Sequence, residues 1–285
     1  MGQLYFMLDL YRRTNIECSR LITRNYSTSF SMGILAFDKK FRDPIYAIYG
    51  FVRFADGIVD TFHEYDKGLL LEEFTQDTWK AIERGISLNP VLDAFQKTVT
   101  EWGIGRDLIQ AFLDSMAMDL QDIEYALQSY NTYIYGSAEV VGLMCLRVFC
   151  AGDNTLYEDL KPAARHLGAA FQKVNFLRDI RDDYENRGRT YFPGVDLGLH
   201  FDERAKKAIE ADIEEDFRKA YEGIRRLPRG ARTGVLTAYR FYQNLFRKIR
   251  RTEPERVMET RIRISNLEKA ALLAGCVLSH RISWL

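Results

Sequence analysis

The chain has 285 residues, of which 47% are hydrophobic and 28% charged, a composition that is typical of a globular protein and excludes a largely disordered one. Lys plus Arg and Asp plus Glu both number 40, so net charge indicates no nucleic-acid partner. The four cysteines form no CxxC pair and the four histidines are scattered. This argues against a disulfide framework or a zinc site and favours a reducing cytoplasm.

Hydrophobic residues recur at helical spacing along almost the whole chain, and no run alternates as a half-buried strand would. We therefore predict one all-α domain over residues 1–285, with no linker, no repeat and no membrane-spanning run. The predicted helices cover residues 3–24, 43–62, 67–84, 90–102, 106–127, 130–151, 157–186, 203–227, 230–252 and 255–281. Four prolines are predicted to open helices, since proline suits the first helical position: Pro44, Pro90, Pro162 and Pro254.

Two of these helices carry aspartates four residues apart, on stripes whose spacing is that of core residues. The first stripe contains Tyr49, Arg53, Asp56 and Asp60. The second contains Gly168, Gln172, Asn175, Asp179 and Asp183, with Arg178 beside it. A single such pair is usually a solvent-facing helix edge, but two pairs, each with an arginine just before it, indicate a shared site.

Buried carboxylates must be paired with cations or hold a metal ion. Lys, Arg or His side chains could pair them, but four carboxylates around one cavity would repel one another. Mg²⁺ prefers oxygen ligands and combines one or two carboxylates with substrate phosphates. The pattern therefore predicts Mg²⁺ ions that hold a diphosphate, with Arg53 and Arg178 binding its oxygens. Departure of that diphosphate would leave an allylic carbocation, which apolar and aromatic walls would shield from water.

Four sequence blocks resemble the squalene/phytoene synthase family, the head-to-head prenyl synthases, over roughly residues 20 to 270. They are YSTSFSMG (26–33), YAIYGFVRFADGIVD (46–60), YGSAEVVGLM (135–144) and LGAAFQKVNFLRDIRDDYENRGRTYFP (167–193). The chain departs from the family pattern at Tyr26, Gly57 and Glu139, where relatives often have His, Asp and Gly. The resemblance implies an isoprenoid-synthase helical bundle around a central cavity.

The resemblance also implies roles for individual residues. The expected ligands of Mg²⁺, with Mn²⁺ as an alternative, are Asp56, Asp60, Asn175, Asp179 and Asp183. The four aspartates with Arg53 and Arg178 form the expected catalytic group. The expected substrate-binding residues are Ser27, Ser29, Tyr49, Gln172, Asn175, Arg189, Tyr191 and Tyr242. For Arg189 and Tyr242 a surface charge or ordinary packing is an equally good interpretation.

The implied reaction joins two geranylgeranyl diphosphates, through a cyclopropylcarbinyl diphosphate, into phytoene, a step of carotenoid biosynthesis. Phytoene synthase is favoured over squalene synthase because the sequence contains neither a GxGxxG fingerprint nor a long apolar C-terminal anchor, and NADPH is not expected. A squalene or dehydrosqualene synthase that uses farnesyl diphosphate stays open, since the two tails differ by one isoprene unit. A class I terpene cyclase is less favoured, because the NxxRDxxxD block differs from the motifs of those enzymes.

Twelve basic residues between positions 225 and 263 are opposed by only three glutamates. Such a run is usually a solvated face, but it also suits phosphates or anionic lipid headgroups. Because the expected product is a water-insoluble hydrocarbon, we expect peripheral contact with the inner membrane surface, through this run and its apolar neighbour 270–278. The sequence leaves three matters open: the oligomeric state, the group that removes the last proton, and the role of Glu139.

Overall fold

The computed structural model describes the backbone of residues 2–120, 127–187, 192 and 201–282, and the side chains of residues 6–120, 128–181, 192 and 201–276. These ranges contain helices and connecting segments but no strand. The all-α class predicted from the helical periodicity is therefore confirmed.

Within the described ranges the chain forms thirteen α-helices and one π-helical turn. The α-helices are α1 (Gly2–Tyr26), α2 (Thr28–Leu35), α3 (Lys39–Thr61), α4 (Lys67–Arg84), α5 (Pro90–Trp102), α6 (Arg106–Met118), α7 (Leu127–Ile134), α8 (Val140–Cys150), α9 (Asn154–Arg187), α10 (Glu203–Ile224), α11 (Arg229–Arg250), α12 (Pro254–Glu259) and α13 (Asn266–Ile282). The π-helical turn, Tyr135–Glu139, connects α7 to α8.

The short helix α2 was not among the predicted helices, although it lies within the YSTSFSMG block. Ser27 is its N-cap and accepts a 3.2 Å hydrogen bond from the backbone N–H of Phe30. A serine in front of a short apolar run is a helix-start signal. With only eight residues, however, α2 is too short to show a clear helical period.

Two of the four prolines open helices as predicted, and two do not. α5 begins at Pro90 and α12 at Pro254, whereas Pro44 and Pro162 lie inside α3 and α9. α3 starts before its proline, and the Arg42 guanidinium donates two 2.8 Å hydrogen bonds to carbonyl oxygens of the preceding turn. These bonds tie the start of α3 to the end of α2.

The prediction of one helix over residues 255–281 is wrong, because α12 and α13 are separated by the non-helical segment 260–265. Ser265 caps the start of α13 as a separate helix. Its backbone N–H donates to Glu268 Oε2 at 2.8 Å, and the Glu268 N–H donates back to Ser265 Oγ at 3.3 Å. This reciprocal pair is a capping box, which the sequence already displays as SNLE.

The core joins these helices through large apolar side chains that are almost fully buried. Among them, the rings of Phe51 and Phe95 stack with their centroids 3.8 Å apart.

One run, Gln128–Cys150, is long and apolar enough to span a bilayer, against our expectation of none, yet 56% of it is buried within the molecule. Burial of that extent is ordinary for a core helix. The division into one domain stays a prediction.

A buried ionic cluster ties α9 to α10. Lys173 Nζ donates to Asp212 at 2.5 Å and to Asp216 at 2.7 Å, and His166 Nδ1 lies 2.7 Å from Asp216. The side chains of Lys173 and Asp216 are 11% and 9% exposed. Burial lowers the pKa of Lys173, but the two carboxylates outweigh it and raise that pKa above its ordinary value.

Lys173→Met should therefore lower the free energy of unfolding by about 3–5 kcal/mol, because it leaves the buried Asp216 carboxylate without its main cation. Urea unfolding followed by circular dichroism measures the change. Lys161→Met is the matched control, since Lys161 is more exposed than Lys173 and its ion pair is with Glu158 on its own helix. It should cost less than about 1 kcal/mol. Equal losses in the two variants would contradict a structural role for the cluster.

Candidate active site

The helices enclose a cavity of about 510 Å³. Its wall is mostly apolar and aromatic. At one end, polar residues of the wall contact one another, and we call this end the mouth. Nine of the predicted site residues line the cavity: Ser27, Ser29, Tyr49, Arg53, Asp56, Gln172, Asn175, Arg178 and Tyr242.

α3 supplies one wall of the mouth. Arg53 Nη1 donates a 2.9 Å hydrogen bond to Asp56 Oδ2, three residues further along the helix. The Arg53 guanidinium also lies 4.4 Å from the ring centroid of Tyr26, the residue that stands where relatives often have His. Its Nε–H is buried and has no hydrogen-bond partner among the described residues. The Tyr26 ring occupies one face of the guanidinium and Asp56 one edge, so an N–H donor remains for a further anion.

Ser27 and Tyr49 continue the mouth beside Arg53. Burial raises the pKa of Tyr49 to about 12, although its hydrogen bond with Ser27 and the nearby Arg53 charge oppose the shift. The Tyr49 phenol is therefore neutral at pH 7 and available as a hydrogen-bond donor.

α9 supplies the opposite wall, where Asp179 lies between two guanidiniums. Arg178 Nε donates to Asp179 Oδ1 at 3.0 Å, and its Nη2 donates to Oδ2. Arg261 Nε lies 2.8 Å from Asp179 Oδ1, and its Nη2 lies 3.3 Å from Oδ2. Two guanidiniums thus bind the Asp179 carboxylate, and both line the cavity.

Asn175 and Tyr242 connect this wall to α11. The ring of Tyr242 stacks on Phe171, with centroids 3.9 Å apart and planes 13° apart. Burial raises the pKa of Tyr242, although the nearby Arg178 charge and a hydrogen bond with Asn175 oppose the shift. Asn175 Oδ1 is buried and has no hydrogen-bond partner among the described residues. An amide oxygen left in this way is an available ligand for a hard cation.

The remaining predicted site residues lie elsewhere. Asp60 is half-buried one turn beyond Asp56, and neither Asp60 nor Asp179 is among the residues that line the cavity. Asp183 belongs to α9, but its side chain lies outside the described residues, as do Arg189 and Tyr191 entirely. The structure thus places Asp56 in the cavity wall and holds Asp179 between two guanidiniums that line it, while Asp183, Arg189 and Tyr191 stay predictions.

The sequence reasoning missed two residues that line the cavity, Arg261 and Tyr133. Arg261 lies in the segment between α12 and α13, and the capping box just after it was the signal that the helix is interrupted there. The buried Tyr133 donates a 2.8 Å hydrogen bond to Asp119 Oδ2. No sequence signal distinguishes this tyrosine from the other aromatic residues of its apolar helix.

The oxygen donors at the mouth are of the kind that Mg²⁺ prefers. Among the described residues, however, no group of three or more His, Cys, Asp and Glu side chains is close enough to hold a metal by itself. The donors therefore fit Mg²⁺ as a bridging ion, which takes one or two carboxylates and completes its shell with phosphate oxygens and water. The unpartnered Asn175 oxygen supports that fit.

The small-residue segment 135–144 combines close packing with cavity lining. A Cβ added to Gly136 would lie 2.5 Å from the carbonyl oxygen of Ala111, so only glycine allows this approach to α6. Ser137 and Gly142 line the cavity. Glu139 does not, because its carboxylate lies 2.5 Å from Arg165 Nε on α9. The segment therefore contributes both to helix packing and to the cavity wall.

Comparison with known proteins adds an independent observation. The model of the squalene/phytoene synthase family matches residues 23–268. The chain belongs to the squalene/phytoene synthase family. Members of this family are prenyltransferase-type enzymes that act on prenyl diphosphates, so the expected family and substrate class are confirmed.

Relatives in the family carry different product names. The chain is 31% identical to a phytoene synthase of Arthrospira platensis over 271 residues, covering 85% of this chain and 86% of that one. It is 33% identical to a presqualene diphosphate synthase of Sinorhizobium fredii over 172 residues, 60% of each chain. A crystal structure of a dehydrosqualene synthase superposes with a TM-score of 0.78, covers 95% of this chain and 98% of its own, and shares 19% identity. That likeness shows the fold.

Arg261→Ala should weaken binding of inorganic diphosphate in the presence of Mg²⁺ by about 10- to 100-fold. The estimate assumes that one charge-assisted hydrogen bond of about 1.5–3 kcal/mol is lost. Isothermal titration calorimetry gives the Kd. Arg263→Ala, an exposed arginine on the same segment, is the control and should leave the Kd within about twofold. Equal weakening by both variants would indicate a general effect of charge.

Proposed function

We propose that the protein is a phytoene synthase, which condenses two geranylgeranyl diphosphates head to head and releases diphosphate. The observation that carries the proposal is the mouth itself. An arginine–aspartate pair on α3 and another on α9 lie at one end of a cavity whose wall is otherwise mostly apolar. Such a cavity suits a substrate with a diphosphate head and a long hydrocarbon tail.

Arg53, Arg178 and Arg261 would bind the diphosphate oxygens, since each guanidinium lies at the mouth and lines the cavity. Asp56, Asp60, Asn175, Asp179 and Asp183 would hold Mg²⁺, or Mn²⁺ in its place. When bound, the metal would supply charge neutralisation of the leaving diphosphate. The neutral phenol of Tyr49 would donate a further hydrogen bond to the same oxygens.

The walls next to the mouth would protect a carbocation formed when the diphosphate leaves. The stacked rings of Phe171 and Tyr242 form one side of this region, and they would exclude water that would otherwise quench the cation. Tyr133 Oη lies in the wall with its proton directed to Asp119. It would accept the last proton from the cation while its own proton passes to the Asp119 carboxylate.

The C20 substrate is supported by the greater extent of the likeness to phytoene synthases, which covers 85% of this chain for the Arthrospira relative. The second candidate is condensation of two C15 farnesyl diphosphates. It is supported by the likeness to a presqualene diphosphate synthase, which covers a shorter stretch of this chain. The difference between the two is one isoprene unit of tail length.

Product analysis distinguishes these reactions. Purified protein is incubated with Mg²⁺ and either the C20 or the C15 diphosphate, each with and without NADPH, and the hydrocarbon is identified by mass and absorbance. We expect phytoene from the C20 substrate, unaffected by NADPH. A C30 hydrocarbon would replace the proposal with a squalene synthase if NADPH changes the product, and with a dehydrosqualene synthase if it does not. A cyclic product from a single substrate molecule would indicate a terpene cyclase.

A cytoplasmic location with peripheral membrane contact remains our expectation. Several basic residues of the 225–263 run are engaged in ion pairs, which leaves fewer of them for lipid headgroups: Arg226, Lys248, Arg250 and Arg261. Co-sedimentation with anionic vesicles at low salt tests the contact, and protein that stays in the supernatant would refute it.

A further inference from the structure

The end of the cavity opposite the mouth is closed by an aromatic pair. Phe37 and Phe149 both line the cavity, and their ring centroids lie 5.0 Å apart. Behind them Phe41, which is 1% exposed and does not line the cavity, meets Phe149 edge to face at 5.8 Å. We call Phe37 and Phe149 the floor.

The floor lies just before the N-terminus of α3 and beside the N-terminal part of α11, two helices that also reach the mouth. On α11 the cavity-facing residues run from Tyr242 at the mouth to Gly234 at the floor, about 12 Å apart at 1.5 Å per residue. On α3 they run from Asp56 down to Ile45, about 16 Å by the same rise. A tail whose head is held at the mouth therefore points at the floor.

Phe37 is held rigidly for a residue in a connecting turn. Arg42 Nε donates to the Phe37 carbonyl oxygen at 2.8 Å, and the Asp38 N–H donates to Gly230 O at the start of α11 at 2.9 Å. The ring itself rests on the backbone of Gly234, where an added Cβ would overlap three of its carbon atoms. Phe37 is thus fixed in two ways: hydrogen bonds hold its turn, and its ring rests on Gly234.

We propose that Phe37, seated on Gly234, sets the longest prenyl tail that the cavity accepts. This inference rests on the proposed function for its substrate and names the residues that select tail length. A smaller side chain at position 37 opens the cavity toward Phe41. A methyl group at position 234 displaces the Phe37 ring toward the cavity, because Phe149 and the anchored turn block its other directions.

The experiment compares C15, C20 and C25 prenyl diphosphates, both as substrates and as non-ionising S-thiolo analogues whose Kd values calorimetry measures in the presence of Mg²⁺. In Phe37→Leu and Phe37→Ala the ratio of C25 to C20 affinity should rise at least about tenfold, since a hydrophobic pocket discriminates added carbons to about that degree. In Gly234→Ala the ratio of C20 to C15 affinity should fall by a similar factor.

Two controls separate this effect from a general loss of structure. Phe74→Ala removes a phenylalanine of similar burial that does not line the cavity, and Gly275→Ala adds a methyl group where no atom lies within 4 Å. Both should keep the wild-type order of affinities. If the floor variants and the controls show the same order of affinities for the C15, C20 and C25 analogues, the proposal is overturned. If wild-type protein forms no hydrocarbon from any substrate, the proposed function fails, while the Kd ratios still decide whether the floor selects tail length.

Discussion

The structure depends on how two carboxylates are neutralised at the edge of an apolar cavity. Asp56 on α3 lines the cavity, Asp179 on α9 is held by guanidiniums that line it, and each is bound by an arginine close to it in sequence. Arg261 adds a second cation to Asp179 from a distant part of the chain. Uncompensated carboxylates in such a position would be costly. The arginines that stabilise them are also the groups that a diphosphate would bind, so charge balance and substrate binding share the same side chains.

The rest of the fold keeps this arrangement in place and gives the cavity its length. The buried Lys173 cluster fixes α9 against α10, and the glycine contact at position 136 brings the π-helical turn close to α6. Neither contact forms the mouth, but the first holds α9, which does, and the second holds the turn whose Ser137 lines the cavity. At the other end, Phe37 and Phe149 close the cavity on a turn that is tied to both α3 and α11. Mouth and floor are therefore held by separate sets of contacts.

The sequence predicted the helical class and the two helices that carry the aspartate pairs, because both follow from the spacing of residues along one chain segment. It did not predict Arg261, whose partner Asp179 is 82 residues away, since a pairing at that distance leaves no periodic trace. The interruption before α13 was predictable from its capping box. The start of α3 ahead of Pro44 was not predicted, since proline usually marks the first turn of a helix. Asp183, Arg189 and Tyr191 stay predictions.

The central claim is that the carboxylates of Asp56 and Asp179 hold divalent metal together with diphosphate. Electron paramagnetic resonance of Mn²⁺ tests it directly, because free and bound Mn²⁺ give different signals. The account predicts that wild-type protein binds Mn²⁺ tightly only when inorganic diphosphate is present, and that Asp56→Asn combined with Asp179→Asn abolishes this binding while the helical circular dichroism spectrum is kept. Equal, diphosphate-dependent Mn²⁺ binding by that double variant would contradict it.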